Sequence, residues 1–347
     1  MTARCLLLLA ALWMPLLATA GDVPAVPVGL QHDVVFTDYS PLSRSTELVR
    51  RLLSPLNALY VNQAAAQKGY TMREQSLDLA HEKFAVYVPA AAPPQGYALL
   101  VFVPPWEEAT VPPPWISTLD RHGMIYVSAA NSGNDADVLD RRVPLALLAA
   151  ANIIKRYPID PQRIYIGGFS GGSRVAERIA LGYPDLFHSA LLMAGSDPIG
   201  NAQLTLPPSA LFQQFQDATR LVYLTGQQDD AHLDMDRQSQ QSMHDWCVFH
   251  VATVAAPWSG HEVVTPAPLN HALDVLDKPV QPDPAKLAGC RAHIDQALTA
   301  QLQQAESLLA SGKPDAAHTL LNKIDARYGG LAAPRSLDLA KKIDASH

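Results

Sequence analysis

The chain has 347 residues, of which 48% are hydrophobic and 17% charged, and its formal net charge is −7. This apolar content suffices for the core of one large domain or two ordinary ones, and it excludes global disorder. An acidic chain without a basic block also argues against a nucleic-acid partner.

The first residues have the pattern of a signal peptide. Arg4 precedes an apolar run at residues 5–17, which is too short to span a bilayer, and residues 18–20 (ATA) have the small-x-small form of a cleavage site. We therefore expect residues 1–20 to be cleaved after Ala20 and the protein to be periplasmic or secreted. We expect no membrane span in the mature chain.

Residues 21–74 are predicted to be irregular and helical, because a proline-rich stretch precedes a segment with helical spacing. Residues 75–277 alternate short apolar runs, predicted as strands, with helical segments. Runs such as residues 98–103 (ALLVFV) are typical of strands that are buried on both faces. This block therefore predicts an α/β fold with a mostly parallel central sheet and helices on both faces.

The C-terminal part differs in composition. Residues 278–284 (KPVQPDP) contain three prolines and predict a linker. Residues 285–347 predict a small extension of Ala/Leu-rich helices, two of which faintly resemble a tetratricopeptide hairpin. Because one hairpin cannot bury its own apolar face, we expect it to pack on the preceding block. The alternative is that it binds a protein partner, whose identity the sequence does not give.

A glycine-rich turn at residues 167–172 (GGFSGG) carries the first chemical signal. It lacks the lysine of a P-loop and the G-x-G-x-x-G spacing of a dinucleotide-binding loop. Residues 168–172 do fit G-x-S-x-G, with Ser170 between a predicted strand and a predicted helix, as in a nucleophile elbow. The alternative is a glycine turn with an incidental serine.

A serine nucleophile needs an acid and a histidine later in the chain. Asp229 follows the predicted strand at residues 221–224 and is the candidate acid, with Asp230 as the alternative. His261 comes directly after the last predicted strand of the block and is the candidate base. The sequence therefore predicts a triad of Ser170, Asp229 and His261, although aspartates are also common in solvated turns.

Two backbone N–H groups are predicted to bind the oxyanion. One belongs to Gly171, and the other to Trp106, because Pro104 and Pro105 have no N–H to donate. The alternative role of Trp106 is to line the pocket. No metal is predicted, since H-E-x-x-H is absent and residues 229–236 lack the glycine and glutamate of an EF-hand loop. A serine mechanism requires no cofactor.

Cys247 and Cys290 are the only cysteines after residue 20. Since export would make a disulfide chemically possible, we predict a bridge between them that ties the helical extension to the preceding block. Two alternatives are a buried free Cys247 with Cys290 exposed, and a bridge between two chains.

Several segments together resemble a known family. Residues 160–172 (DPQRIYIGGFSGG), 183–187 (YPDLF) and 224–229 (LTGQQD), with Gly260-His261, resemble secreted α/β-hydrolases of the polyhydroxybutyrate depolymerase and feruloyl esterase type. The resemblance covers residues 83–277. It implies the α/β-hydrolase fold, the triad named above, and a small or oligomeric carboxylic ester as substrate.

Three hypotheses for the activity follow. The first is an exported serine esterase that works through an acyl-enzyme. The second is a serine peptidase on the same fold, and the third is a non-catalytic interaction protein that uses its C-terminal helices. An intact Ser170, Asp229 and His261 in the expected order favours an enzyme.

Overall fold

The computed structural model describes residues 27–69 and 71–346, so the predicted signal peptide at residues 1–20 lies outside the described residues. Within the described residues, the strands form one eight-stranded sheet. They are β1 Gly29–Val34, β2 Phe84–Val88, β3 Tyr97–Val103, β4 Met124–Ala129, β5 Ile159–Phe169, β6 Ser189–Met193, β7 Arg220–Gly226 and β8 Val251–Ala256.

The α-helices of the described residues divide into those that precede the C-terminal extension and those of the extension itself. The first group is α1 Ser45–Leu52, α2 Pro55–Gln67, α3 Ile116–His122, α4 Val143–Arg156, α5 Gly171–Gly182, α6 Ser209–Ala218, α7 Asp230–Asp245 and α8 Pro266–Leu276. The extension is α9 Pro284–Ala310, α10 Pro314–Tyr328 and α11 Arg335–Asp344. None of these helices combines the length and the apolar composition that a membrane span requires.

The strand order across the sheet is β1-β2-β4-β3-β5-β6-β7-β8. Strand β2 runs antiparallel to β1 and β4, and the other neighbouring pairs are parallel. The loops after β3, β5, β7 and β8 therefore meet at one edge of the sheet, because parallel strands end at the same edge. With a serine turn directly after β5, this order is that of the α/β-hydrolase fold, and the predicted fold class is confirmed.

Each face of the sheet packs into its own apolar core. In β3, Leu99 and Val101 enter one core while Leu100 and Phe102 enter the other, because successive side chains of a strand point to opposite faces. Helices α4, α5 and α6 and the C-terminal extension cover the first core, and α3 and α8 cover the second. This two-sided burial explains why β3 reads as a continuous apolar run.

Two elements differ from the sequence prediction. Strand β1 lies in segment 21–74, where only irregular and helical structure is predicted, and it pairs at the sheet edge with β2. Three of its six residues are exposed and none is fully buried, so it lacks a buried apolar stripe. Helix α7 forms in a stretch without the apolar spacing of the other helices. Two of its three buried side chains, Asp236 and Ser239, are polar and are held by hydrogen bonds.

The C-terminal extension packs against the sheet-containing part of the chain. Leu302 of α9 and Leu321 of α10 belong to the same apolar core as Phe212 of α6. Asp325 of α10 accepts hydrogen bonds from the Leu56 N–H, at 3.1 Å, and from the Ser54 hydroxyl, at the start of α2. These contacts bury the apolar face that a lone hairpin would leave exposed.

A disulfide joins Cys247 and Cys290 in the structure, with 5.9 Å between their Cα atoms. Cys247 is fully buried at the end of α7, and Cys290 lies in the second turn of α9. The bridge thus crosses the proline-rich segment between α8 and α9.

Candidate active site

Ser170 occupies a sharp turn between β5 and α5. Its φ of +54° and ψ of −122° lie outside the regions that L-residues ordinarily adopt. Its N–H donates to the carbonyl of Met193 at 2.8 Å, which fixes the turn against β6. The serine hydroxyl is thereby presented above the carboxyl ends of the parallel strands.

Steric contacts explain the glycines of the motif. A Cβ on Gly168 would lie 2.3 Å from the carbonyl oxygen of Gly172, and one on Gly172 would lie 2.0 Å from the carbonyl oxygen of Val103. Both separations are too short for real atoms, and the obstacles are backbone atoms. The elbow therefore requires glycine at both positions.

Ser170, His261 and Asp229 form a continuous hydrogen-bonded chain. The hydroxyl of Ser170 donates to Nε2 of His261 at 3.0 Å. Nδ1 of His261 donates in turn to Oδ2 of Asp229 at 2.7 Å. The structure thus brings together the three residues that the sequence predicts, and it places Asp229 rather than Asp230 against His261.

The loops that carry the acid and the histidine contact each other closely. A Cβ on Gly226, at the end of β7, would lie 2.3 Å from the carbonyl oxygen of Gly260. The Gln228 N–H donates to the carbonyl of Ser259 at 2.9 Å. This close approach sets the position of Asp229 relative to His261.

A second histidine, His232, also binds Asp229. Its Nδ1 donates to Oδ1 of the carboxylate at 2.7 Å, and its ring stacks on that of His261 with centroids 4.1 Å apart and planes inclined by 17°. Sequence reasoning did not select His232, although a residue three positions after Asp229 in the first turn of a helix faces back towards it.

The carboxyl of Asp229 is buried, and burial opposes its ionisation. The hydrogen bonds from His232 and His261 outweigh that burial and hold the pKa of Asp229 below its usual value. The carboxylate can therefore act as a fixed negative charge behind the His261 ring.

The two predicted oxyanion donors follow neighbouring parallel strands, Trp106 after β3 and Gly171 after the Ser170 turn that ends β5. Within residues 27–69 and 71–346, neither the Gly171 N–H nor the Trp106 N–H donates to a protein acceptor. The Trp106 ring lies 6.3 Å from that of Phe169, whose ring in turn lies 4.9 Å from His261. Trp106 therefore lines the site with its side chain while its N–H stays unpaired.

Asp229, His232 and His261 are also close enough to be considered as metal ligands, since their ligand atoms all lie within 4.8 Å of one another. Both Nδ1 atoms, however, already donate to the carboxylate. Each Nδ1 is therefore a hydrogen-bond donor here and not a metal ligand. The sequence also predicts no metal at this site.

No protein-family model matches this chain, and no curated protein does either. Solved structures match part of it. An esterase from Thermogutta terrifontis is 17% identical over 58% of this chain and 88% of that one, with a TM-score of 0.42. A ferulic acid esterase is 16% identical over 56% of this chain and 90% of that one, with a TM-score of 0.41. A Bacteroides ovatus protein assigned as a dipeptidyl aminopeptidase IV is 14% identical over 56% of this chain and 32% of that one, with a TM-score of 0.41. Because all three TM-scores are below 0.5, the fold assignment rests on the strand order.

A buried polar network supports helix α7, which follows Asp229 and carries His232. Ser239 of α7 donates to Oε1 of Glu177 on α5 at 2.8 Å, and the Asp197 N–H donates to Oε2 at 2.7 Å. Asp236 accepts from Ser196 and from Thr225 at 2.6 Å each. These contacts join α7 to α5, to β7 and to the loop after β6.

Proposed function

We propose that this protein is a serine hydrolase that cleaves carboxylic esters through an acyl-enzyme intermediate. The observation that carries the proposal is the hydrogen-bonded chain from Asp229 through His261 to Ser170, on a strained turn at the carboxyl edge of the sheet. This arrangement gives a hydroxyl a base to remove its proton and gives that base an anion to hold its orientation.

In acylation, Oγ of Ser170 attacks the ester carbonyl while Nε2 of His261 takes the hydroxyl proton. The tetrahedral intermediate places its oxyanion towards the N–H groups of Gly171 and Trp106, which have no protein acceptor. When the bond to the leaving oxygen breaks, His261 returns the proton to the departing alcohol. The acyl group remains on Ser170.

In deacylation, a water molecule takes the place of the alcohol. Nε2 of His261 removes a proton from the water as it attacks the acyl carbon, and then returns that proton to Oγ of Ser170. The carboxylic acid leaves, and the serine is restored. Asp229 stays ionised throughout and stabilises the transient imidazolium.

His232 supports this mechanism as a positioning residue. Because its Nδ1 donates a hydrogen bond to Oδ1 of Asp229, the carboxylate is held with Oδ2 towards His261. Its ring covers one face of the His261 imidazole and limits rotation of that ring.

We also propose that the protein is exported. The disulfide between buried Cys247 and half-buried Cys290 supports this, because such bonds persist in oxidising compartments. The signal-like pattern at residues 1–20 is consistent with it.

A fluorophosphonate probe and an ester panel test the activity. We expect the probe to label Ser170, and we expect 4-nitrophenyl esters to be hydrolysed by the wild type. Ser170→Ala should lose turnover by a factor on the order of 10⁶ while remaining folded, because the nucleophile is removed. Faster cleavage of peptides than of matched esters would instead support a peptidase. Labelling elsewhere, or an active Ser170→Ala variant, would refute the triad.

A further inference from the structure

A cavity of about 310 Å³ lies beside Gly171, the residue that follows the candidate nucleophile. Its polar lining consists of Asn134, Arg142, Arg174, Arg178, Asp197 and Gln203. Three of these side chains carry a guanidinium group and one carries a carboxylate. Within the described residues, none of the three arginines makes an ion pair.

Arg142 is the most unusual of the three, because it is 97% buried without a carboxylate partner. Its Nε donates to the carbonyl of Ser132 at 2.9 Å, and one terminal nitrogen donates to the carbonyl of Pro104 at 2.8 Å. The other terminal nitrogen has no hydrogen-bond partner among the described residues. Burial lowers the pKa of Arg142 to about 10, although Glu107 nearby opposes this.

A buried cation is ordinarily paired with an anion, since desolvation of an isolated charge is costly. Arg142 ends a π-helical turn, Val138–Arg142, that precedes α4. Such turns occur frequently at functional sites. The two backbone carbonyls fix the guanidinium plane at the cavity wall, which leaves an unused donor for a ligand.

Arg174 and Arg178 extend the positive charge along α5. Arg174 is exposed and its side chain has no hydrogen bond, while Arg178 donates to the carbonyl of Gln203 at 2.6 Å. Asp197 is the one acid in the lining. Burial raises its pKa, although both arginines act against this shift. The cavity is therefore cationic, and it lies at the N-terminal end of α5, where the helix dipole also favours an anion.

We propose that this cavity is a substrate subsite for an oxyanion group, so that the preferred ester carries a carboxylate or a phosphate in addition to the ester bond. The proposal rests on the proposed esterase function, because it names the substrate class of the same site. Arg174 and Arg178 lie about 5 and 10 Å beyond Gly171 along the helix axis. An anionic group several bonds from the reacting carbonyl would reach them.

The kinetic test compares substrates that differ only in terminal charge. 4-Nitrophenyl hydrogen adipate and 4-nitrophenyl hexanoate share a six-carbon acyl chain, and a phosphonate-tailed analogue of similar length separates phosphate from carboxylate recognition. We expect the wild type to have a higher kcat/KM for the charged esters, and this preference should fall as salt is added. Equal kcat/KM for charged and neutral esters would overturn the proposal.

The variants Arg174→Gln and Arg178→Gln test the residues themselves. Each should lower the ratio of charged-ester to neutral-ester kcat/KM about tenfold, because each removes one charge-assisted contact to the anion. The ratio is used because general damage to folding would lower both values alike. Arg121→Gln is the matched control, since Arg121 is exposed and unpaired but lies on α3, away from this cavity. Its ratio should equal that of the wild type. An unchanged ratio in both Arg174→Gln and Arg178→Gln would reject the subsite.

A binding measurement separates failure of this proposal from failure of the proposed function. Ser170→Ala protein is titrated calorimetrically with adipate, and we expect binding that Arg174→Gln weakens about tenfold in the same background. If the wild type hydrolyses neither ester, the esterase function is wrong, and this titration still decides the subsite. If adipate binding does not depend on Arg174 or Arg178, the cavity is not an anion site.

Discussion

At the scale of single residues, the candidate site depends on which groups share the Asp229 carboxylate. Its two oxygens accept from two different imidazoles, at 2.7 Å each. Because an ionised carboxylate only accepts hydrogen bonds, Nδ1 of His261 carries the proton, and His261 is held in the tautomer that presents Nε2 to Ser170.

Asp229→Asn should lower kcat by a factor on the order of 10⁴, because an amide can stabilise the wrong tautomer of His261. Asp230→Asn is the matched control: Asp230 is exposed in the first turn of α7 and does not contact His261. Ester hydrolysis by both purified variants is the measurement. A larger loss from Asp230→Asn than from Asp229→Asn would move the acid one residue along the chain.

His232→Ala should lower kcat by about tenfold to a hundredfold, because it removes a hydrogen bond to a charged group. KM should change little, since His232 acts through Asp229. His232→Asn can restore a donor close to the position of Nδ1 and should recover part of the loss. If His232→Ala and His232→Asn are equally impaired, or if only KM changes, the positioning role is wrong.

At the scale of elements, helix α7 is held by polar contacts where most helices use apolar ones. Its buried Ser239 bonds to Glu177 on α5 and lies 2.8 Å from the Tyr223 hydroxyl on β7. Glu177 is fully buried, and no cation of the described residues lies within ion-pairing distance of it. Burial raises its pKa to about 8 despite the hydrogen bonds from Asp197 and Ser239.

This shift predicts a pH-dependent stability. Because the pKa of Glu177 is higher in the folded protein than in the unfolded chain, its contribution is most favourable below about pH 4.5 and is lost as pH rises towards 8. Glu177→Gln stays uncharged and can still hydrogen-bond with Ser239. Relative to the wild type, it should therefore gain free energy of unfolding between pH 5 and pH 8, on the order of a few kcal/mol.

Urea unfolding of both proteins at pH 5 and pH 8 measures this difference. Glu306→Gln is the control, because Glu306 is a surface partner of Arg335 and its pKa is lowered by that contact. If the advantage of Glu177→Gln is the same at both pH values, Glu177 does not titrate in this range.

Across the whole molecule, contacts of several kinds join the C-terminal extension to the sheet-containing part. Apolar side chains of α9 and α10 enter the core under α6, Asp325 binds the start of α2, and the disulfide joins α9 to the end of α7. Since α7 follows the Asp229 loop directly, the extension supports the helix that carries His232.

Cys290→Ser should lower the free energy of unfolding by up to about 4 kcal/mol, because the bridge closes a loop between cysteines 43 positions apart. Thermal or urea unfolding measures the loss. Reducing agent should destabilise the wild type by a similar amount and leave Cys290→Ser unchanged. An equal effect of reducing agent on both proteins would show that the bridge is not the cause.

Features that depend on local chemistry could be predicted from the sequence. The G-x-S-x-G turn could be recognised because backbone atoms within the elbow and in β3 exclude any side chain at Gly168 and Gly172. Strand β3 could be recognised because burial on both faces leaves a continuous apolar run. The order of Ser170, Asp229 and His261 followed from where each lies relative to a predicted strand.

Features that depend on contacts between distant segments could not be predicted in this way. The sequence favours Asp229 as the acid and leaves Asp230 as the alternative, and the packing of the β7 and β8 loops at Gly226 determines which of them contacts His261. Helix α7 and strand β1 lack an apolar stripe, because α7 is stabilised by buried polar partners and β1 by pairing at the sheet edge. The arginine-lined cavity likewise brings together segments far apart in the chain. The spacing of apolar residues along an element indicates which of its faces is buried. Contacts between distant elements form only when those elements pack together.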